Sequence, residues 1–300
     1  MANPIITSLP NFVETNRTDL IEKSVLFGRT VDHLNLMTGV VGPTALNLYD
    51  TDLTLQDGKA CGFDAQDTTT LSQRVLTPAV LKVNTTFCPK LLIGKYAQHL
   101  VKVGAKKENL PFEEKFTQGI VDAVKAEIEK MIWQGQPNQT DECEGFISIL
   151  SGATSAIKVA EASGTTAAQA LMDTYMAMPA AIVEKSDAVI FVGEDKYREY
   201  IQYLVSQNMF NYNPNYGEGV YVIPGTSVRV ISVNGLNGTN AIVAGRESNF
   251  YYGTDMENDN ETFDLWFSKD DQIWKLAINF TAGVQVAYPE ETVLTTIATA

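Results

Sequence analysis

The sequence predicts an α+β fold, and three patterns along its 300 residues indicate this class. Residues 109–134 carry apolar side chains every three to four positions, which is typical of an amphipathic helix. Residues 44–95 alternate apolar and polar side chains, which is typical of half-buried strands. From residue 151 onward helical and strand-like segments follow one another, and a hydrophobic content of 45% is sufficient for a substantial core.

The first forty residues predict an arm that contains one helical segment. Asn16 to Thr18 provide capping side chains, and the apolar positions that follow keep a loose helical spacing: Leu20, Ile21, Val25, Leu34 and Met37. Two glycines and a proline between Thr38 and Pro43 then predict a break in the chain.

Residues 44–95 predict a long two-stranded hairpin. The alternation continues on both sides of a turn at Asp57-Gly58 and of a polar tip from Asp64 to Ser72; its clearest stretches are Ala45–Tyr49, Leu53–Leu55, Val75–Leu76 and Val80–Asn84. An isolated hairpin is only marginally stable in water, so we expect this one to lie on another surface.

Residues 110–134 predict the clearest element of the chain, a long amphipathic helix. Pro111 lies in its first turn, and Glu113 and Glu114 lie where the helix dipole favours anions. Its apolar face consists of Phe112, Phe116, Ile120, Val124, Ile128 and Met131 or Ile132. Gly135 and Pro137 are expected to end the helix.

The second half predicts a compact α+β unit followed by antiparallel strands. A helix is expected from near Thr165 to Pro179, and a second one carries Tyr197, Ile201, Leu204 and Val205 on one face. The predicted strands are 188–192, 220–223, 228–233, 241–244, 263–268, 273–280 and 284–288, with turns at 269–271 and at Gly283.

The composition is acidic, with 22 Lys and Arg against 36 Asp and Glu and a net charge of −14. A broad surface that grips nucleic acid or an anionic membrane requires basic clusters, so the charge argues against that class of function. No apolar run is long enough for a membrane helix and no signal peptide is evident, which predicts a soluble intracellular protein.

The acidity is concentrated around residues 255–271. The run Asp255, Glu257, Asp259, Glu261 and Asp264 predicts a solvated loop. Its spacing faintly resembles a calcium loop, but the sixth and twelfth positions hold Asn260 and Trp266 where glycine and glutamate are required. The solvated loop is therefore the favoured interpretation, and a bound cation is the alternative.

No residue is predicted to be catalytic, cofactor-binding or metal-ligating, no cofactor is expected, and the protein is predicted not to be an enzyme. The sequence lacks the phosphate-loop, dinucleotide, nucleophile-elbow and paired-histidine motifs. His33 and His99 are the only histidines, and a general-base role for His99 has no companion motif, so a solvated histidine is favoured. Cys61, Cys88 and Cys143 form no metal-finger pair and are expected to be reduced thiols.

The tyrosine-rich stretch from Tyr200 to Tyr216 has two interpretations, a platform for stacking nucleic-acid bases or packing in the core and at interfaces. Only Lys185, Lys196 and Arg198 supply positive charge between residues 185 and 228. Since a stacking platform normally lies in a basic groove, packing is the favoured interpretation.

The order of these elements resembles the major capsid protein of tailed double-stranded DNA bacteriophages, which has the Hong Kong 97-like fold. The most specific stretch is Ile128-Glu-Lys-Met-Ile-Trp-Gln-Gly-Gln136, followed by Glu144-Gly-Phe-Ile147. It resembles a spine helix that ends in an aromatic residue and a glycine, then a short hinge, then the entry to the next domain. Supporting stretches are residues 189–192, 223–230 and 277–286.

The resemblance covers the whole chain and implies four parts. Residues 1–40 would be an N-terminal arm and 41–95 an extended loop, a β-hairpin that lies across a neighbouring subunit. Residues 96–150 with 246–285 would form a peripheral domain around a spine helix at about 110–134. Residues 151–245 with 286–300 would form an axial domain, which gathers at the centres of hexamers and pentamers.

The function implied by the resemblance is self-assembly into hexamers and pentamers of an icosahedral shell that encloses DNA without sequence-specific binding. The shell would be assembled in the host bacterial cytoplasm and located in the virion. Because the chain begins at the arm, a separate scaffolding protein is expected, with portal, connector and decoration proteins as further partners. Crosslinking relatives use a lysine of the extended loop; Lys59, Lys82 and Lys90 lie there, but no matching residues are identified. The alternative is an encapsulin-type compartment that encloses cargo enzyme.

Overall fold

The computed structural model describes residues 29–52, 54–55, 68–88, 112–137, 143–208, 219–255 and 262–298. The helices are α1 (Phe112–Gln134), α2 (Phe146–Gly152), α3 (Ala167–Ala177), α4 (Ala180–Val183) and α5 (Glu194–Ser206). The strands are β1 (Asn35–Met37), β2 (Thr44–Asp52), β3 (Thr68–Leu76), β4 (Ala79–Phe87), β5 (Ile157–Glu161), β6 (Ala188–Gly193), β7 (Val220–Val222), β8 (Arg229–Val233), β9 (Ala241–Arg246), β10 (Phe250–Thr254), β11 (Thr262–Ser268), β12 (Ile273–Val286) and β13 (Val293–Ile297). The mixture of both confirms the α+β class.

The strands form three sheets. The first is a two-stranded hairpin of β2 and β3, paired from Thr44 opposite Leu76 to Asp52 opposite Thr68. The second has five strands. β4, β10 and β11 all pair antiparallel with the long strand β12, and β1 pairs parallel with β10. The third has six strands in the order β5-β13-β9-β6-β8-β7.

The predicted hairpin is confirmed in its first part and wrong in its second. Residues 80–84 do form a strand, but β4 pairs with β12 from Ala79 opposite Ala282 to Phe87 opposite Trp274. An alternating pattern predicts a strand and which face is buried, but does not identify its partner. The polar tip also ends earlier than expected, because Thr68 to Ser72 already lie in β3. The turn at Asp57-Gly58 lies outside the described residues.

Two other predictions of local structure are wrong. Leu34 and Met37 were expected to continue a helix, but residues 35–37 form β1, parallel to β10. Gly283 was expected to turn the chain, but β12 runs through it to Val286. A side chain at Gly283 would approach the backbone of Pro78 to 2.9 Å, so the glycine permits close packing rather than a turn. Residues 1–28 lie outside the described part.

The long helix is confirmed over 112–134, as are the helices α3 and α5. Thr166 caps α3 by accepting a hydrogen bond from the amide of Gln169 at 3.3 Å. Besides β1, five helices and strands of the described residues were not predicted: α2, the one-turn helix α4, β5, β10 and β13.

The six-stranded sheet is covered on both faces, which explains the unbroken apolar sequence of β6. Ile190 and Val192 belong to a core shared with α3 and α5. Val189 and Phe191 point to the opposite face, where they join the core that contains Trp133 at the end of α1. This second core continues under the five-stranded sheet, so α1 packs against both sheets.

Candidate functional site: the hairpin and its anchorage

The end of α1 meets the rest of the chain at three glycines that permit direct contact between backbones. The amide of Gly145 donates a hydrogen bond to the carbonyl oxygen of Gly135 at 2.8 Å. A Cβ atom on Gly145 would lie 2.8 Å from the carbonyl of Trp133, and one on Gly235 would collide with the carbonyl of Glu129. The spine-like helix is therefore fixed at its C-terminal end.

Four aromatic rings fill the junction around this end. Trp133 lies 5.3 Å from Phe146 and 5.1 Å from Phe191, measured between ring centroids. Phe250 meets Phe146 and Phe191 edge-on at 5.2 and 5.5 Å. All four side chains are completely buried, so they join α1, α2 and both large sheets in one rigid centre.

The segment before β1 is anchored to α1. The indole Nε1 of Trp133 donates to the hydroxyl of Thr30 at 3.1 Å, and the amide of Thr30 donates to the carboxylate of Glu129 at 3.2 Å. Thr30 is completely buried. The chain that follows residue 28 therefore enters the fold at a fixed place.

A second anchor of this segment is ionic. The carboxylate of Glu247 lies 2.8 Å from the Nδ1 of His33 and 2.8 Å from the guanidinium of Arg229 on β8. Burial alone would raise the pKa of Glu247, but hydrogen bonds and charge from His33 and Arg229 lower it below its usual value of 4.5. The imidazole of His33 therefore contacts a carboxylate that helps to hold the segment before β1.

The base of the hairpin is attached to the five-stranded sheet. Leu76 is completely buried and packs on Gly253, where a Cβ atom would lie 2.9 Å from the leucine side chain. The side-chain amide of Gln285 donates to the carbonyl of Val75 at 2.7 Å and its oxygen accepts from Arg74 at 3.3 Å. The hydroxyl of Tyr288 donates to the carbonyl of Tyr49 at 3.3 Å.

The hairpin has two different faces. Leu46, Leu48 and Leu76 occupy one face and are buried. Residues paired on the other face are exposed: Ala45 with Val75, Asn47 with Gln73, and Tyr49 with Leu71. Tyr49 is 70% exposed and Leu71 is 83% exposed, although both are large and apolar and lie directly opposite each other. This outward face is a candidate contact surface.

The anchoring residues were not found from the sequence. Gln285 and Tyr288 lie more than 200 residues from their partners on the hairpin, and no local pattern marks a polar side chain as such an anchor. Tyr49, by contrast, follows from the alternation, because it has the opposite phase to Leu46 and Leu48. Leu71 had been placed in the polar tip, and the structure assigns it to β3 opposite Tyr49.

The residues weighed for chemistry do not come together in the described part of the chain. Cys143 is buried, with its sulfur 3.8 Å from the carbonyl of Ala282, and Cys88 is half-buried. His99, Cys61, Lys59 and Lys90 lie outside the described residues, whereas Lys82 is exposed on β4. Among the residues that can be described, no cluster of His, Cys, Asp and Glu is arranged to hold a metal ion.

The two described residues of the acidic run, Asp255 and Asp264, do not lie in a solvated loop. Asp255 follows β10 and is buried, and Asp264 lies exposed on β11; Glu257, Asp259 and Glu261 lie outside the described residues. The prediction was wrong for Asp255 because the chain is still packed against β12 at the end of β10.

The tyrosine stretch is divided between core and surface. Tyr200 is buried and meets Tyr221 edge-on at 5.9 Å, as the packing interpretation expects, whereas Tyr203 is exposed. Tyr212 and Tyr216 lie outside the described residues. No helix in the described part of the chain has the length and apolar character needed to cross a bilayer.

The fold is similar to that of several solved structures from phage, GTA and virus-like particles. A chain of the satellite phage P4 procapsid, in a structure that includes the size determination (Sid) protein, matches with a TM-score of 0.59 and 11% identity over 95% of this chain and 99% of that one. The capsid of a native GTA particle matches at 0.55 and 12% identity over 92% and 90%. A virus-like particle from Pyrococcus furiosus matches at 0.50 and 10% identity over 97% and 98%.

These matches cover almost the whole chain, so the shared fold extends over its complete length and is not confined to one part. Identities near 11% show a shared fold, and they confirm the resemblance to phage capsid proteins at that level. No protein-family model and no curated protein matches the sequence.

Proposed function

We propose that this chain is the major capsid protein of a tailed double-stranded DNA bacteriophage. It self-assembles into hexamers and pentamers that build an icosahedral head around the genome. The observation that carries the proposal is the hairpin: a fixed base and an outward face with Tyr49 and Leu71 uncovered. Exposed apolar residues paired on the outward face of an anchored hairpin indicate a protein contact surface.

The proposed division of the chain follows the Hong Kong 97-like arrangement. Residues 1–40 are the arm and 41–95 the extended loop, 96–150 with 246–285 the peripheral domain, and 151–245 with 286–300 the axial domain. The separate core of the six-stranded sheet with α3 and α5 supports an axial unit of its own. We propose one change to this division: because β4 pairs with β12, the extended loop ends near Leu76 and residues 79–87 belong to the peripheral domain.

The charge supports a container rather than a DNA-binding protein. With a net charge of −14, the subunit has little tendency to adhere to packaged DNA. The proposal does not require catalysis or a cofactor. It does require partners, namely other copies of the chain, a scaffolding protein, a portal, and connector or decoration proteins, all meeting in the cytoplasm of the bacterial host.

Electron microscopy and sedimentation of the purified chain, alone and coexpressed with its scaffolding protein, test the proposal. We expect capsomers or closed shells of uniform size. A monomer that remains unassembled under both conditions would overturn the proposal. The contents of the shells distinguish the alternative, because an encapsulin-type compartment would contain a cargo enzyme instead of phage DNA.

A further inference from the structure

A polar cleft of about 350 Å³ lies at the base of the hairpin. Arg74 lines it from β3, Gln285 lines it from β12, and Thr154 and Ser155 line it from the loop that joins α2 to β5. Three separate parts of the chain therefore meet around the cleft. A group bound there would join the hairpin to both of the other parts.

The guanidinium of Arg74 has few partners for its charge. Among the described residues it donates one hydrogen bond, from Nη2 to the side-chain oxygen of Gln285 at 3.3 Å. Its Nε is buried without a hydrogen-bond partner, and no described carboxylate pairs with it, whereas Arg198, Arg229 and Arg246 each have one. A half-buried positive charge without a counter-charge is unfavourable, so an anion in the cleft would stabilise it.

The rest of the cleft supplies donors that suit an oxyanion. Thr154 and Ser155 each provide a hydroxyl, and within the described ranges neither hydroxyl is hydrogen-bonded to the protein. An arginine presents several N–H groups in a planar fork that matches the oxygens of a phosphate or a carboxylate. Hydroxyl groups beside the fork can donate to the remaining oxygens of the same ligand.

One acidic residue limits what the cleft accepts. Glu144 also lines it, and its carboxylate accepts a hydrogen bond from the hydroxyl of Ser148 at 3.0 Å. In the lining formed by the described residues, Arg74 and Glu144 are the only charged side chains. Because the carboxylate repels anions, the cleft favours a group with one negative charge, or one with an O–H that donates to Glu144.

We propose that this cleft binds an oxyanion, a phosphate or a carboxylate group, through Arg74 and the hydroxyls of Thr154 and Ser155. The bound group ties the base of the hairpin to the α2–β5 loop, in addition to the hydrogen bonds that Gln285 makes with the hairpin. The site goes beyond the proposed function and does not rest on it, because all of these residues belong to one copy of the chain.

Hydrogen exchange of the purified, unassembled chain tests the site, with inorganic phosphate as the probe and chloride at the same ionic strength as the reference. Exchange over residues 68–76 should slow by about threefold at a phosphate concentration of about twice the Kd, because opening the hairpin base releases the ion. Arg74→Gln should abolish this protection. Arg198→Gln is the matched control, since Arg198 is an exposed arginine on α5, and should retain it.

Two further variants separate loss of binding from loss of hairpin structure. Thr154→Val with Ser155→Ala leaves Arg74 and Gln285 in place and should weaken the protection by phosphate. Glu144→Gln removes the repelling charge and should tighten phosphate binding by about fivefold, an effect that a purely structural role of Arg74 would not produce. Equal exchange in phosphate and chloride, or undiminished protection in Arg74→Gln, would overturn the inference and leave the proposed function, which is tested by assembly, intact.

Assembled shells distinguish the two sources of the oxyanion. If the ligand is a free ion, phosphate should protect residues 68–76 in shells as it does in the unassembled chain. If the ligand is a carboxylate of another copy, shells should show this protection without phosphate, and Arg74→Gln should remove it. Either result supports an oxyanion site at Arg74.

Discussion

The backbone of Gly235 lies directly against the backbone of Glu129 in the last turns of α1. A Cβ atom on Gly235 would collide with the carbonyl oxygen of Glu129 and with the indole of Trp133. Gln134 reinforces the contact by donating a hydrogen bond to the carbonyl of Gly235 at 2.6 Å. This contact links the helix to the loop between β8 and β9, so it fixes the six-stranded sheet relative to α1.

Gly235→Ala should destabilise the subunit by about 2 kcal/mol or more, since the added methyl group must displace a backbone rather than a flexible side chain. Gly119→Ala is the matched control, because Gly119 lies within α1 with open space around its Cα. That change should be stabilising by about 0.5–1 kcal/mol through the helix propensity of alanine. Urea unfolding of the unassembled protein measures both, and equal effects of the two changes would contradict the close contact.

The variant Glu247→Gln should be less stable than the wild type at neutral pH, and this difference should be smaller in acid. The lowered pKa of Glu247 stabilises the fold above the usual glutamate value of 4.5, and this contribution disappears as the pH falls through the lowered folded value. We expect a difference of about 1 kcal/mol between wild type and variant at pH 7 that shrinks below pH 4.5. Urea midpoints across this range, with the exposed Glu184→Gln as control, test the ionic anchor; a difference independent of pH would contradict it.

Tyr200 should make the protein sensitive to alkali. Burial, together with the neighbouring Tyr221 and Tyr197, raises the pKa of Tyr200 to about 12. The folded state therefore keeps the hydroxyl protonated, and stability declines as the pH rises above the usual value of 10 toward 12. Tyr200→Phe should lose less stability than the wild type between pH 9 and about pH 11. Tyr203→Phe, at an exposed site on the same helix, should behave like the wild type in the same urea titrations.

Gln285→Ala should loosen the base of the hairpin without unfolding the sheets. It removes the hydrogen bonds to Val75 and Arg74, a loss of about 1 kcal/mol, while Leu76 remains buried. Hydrogen exchange followed by mass spectrometry should show faster exchange over residues 68–76 than in the wild type. Gln169→Ala, which removes a side-chain contact with Asp173 on α3, is the control. Unchanged exchange in the hairpin would show that Gln285 does not anchor it.

The sequence predicted the helices and strands correctly where the apolar residues follow a single clear spacing, either helical or alternating. The apolar spacing from Ile120 to Ile132 defined α1, and the start of α3 was predicted near Thr165, next to the Thr166 that caps it in the structure. β13 was missed because its sequence, Val-Leu-Thr-Thr-Ile, is short and buried between β5 and β9 without alternation.

The sequence predicted only part of the way in which these helices and strands pack together, and only part of the candidate site. Whether β4 pairs with β3 or with β12 depends on contacts almost 200 residues away, which an alternating pattern does not encode. Gly283 was misinterpreted for a similar reason. Glycine is common both in turns and where two backbones approach closely, and the sequence does not show that the backbone of Pro78 lies against Gly283. Tyr49 lay in a predicted strand but Leu71 in the predicted polar tip, so their pairing on one exposed face was found only in the structure.

The central claim is that the outward face of the hairpin joins copies of this chain into a shell. The double variant Tyr49→Ser and Leu71→Ser tests it most directly, because both side chains are exposed and their loss leaves the subunit core intact. Asn47→Ser with Gln73→Ser is the matched control on the same face. By sedimentation and light scattering, wild type and control should form shells while the double variant remains as folded, unassembled subunits. Shells from the double variant in wild-type yield would contradict the claim.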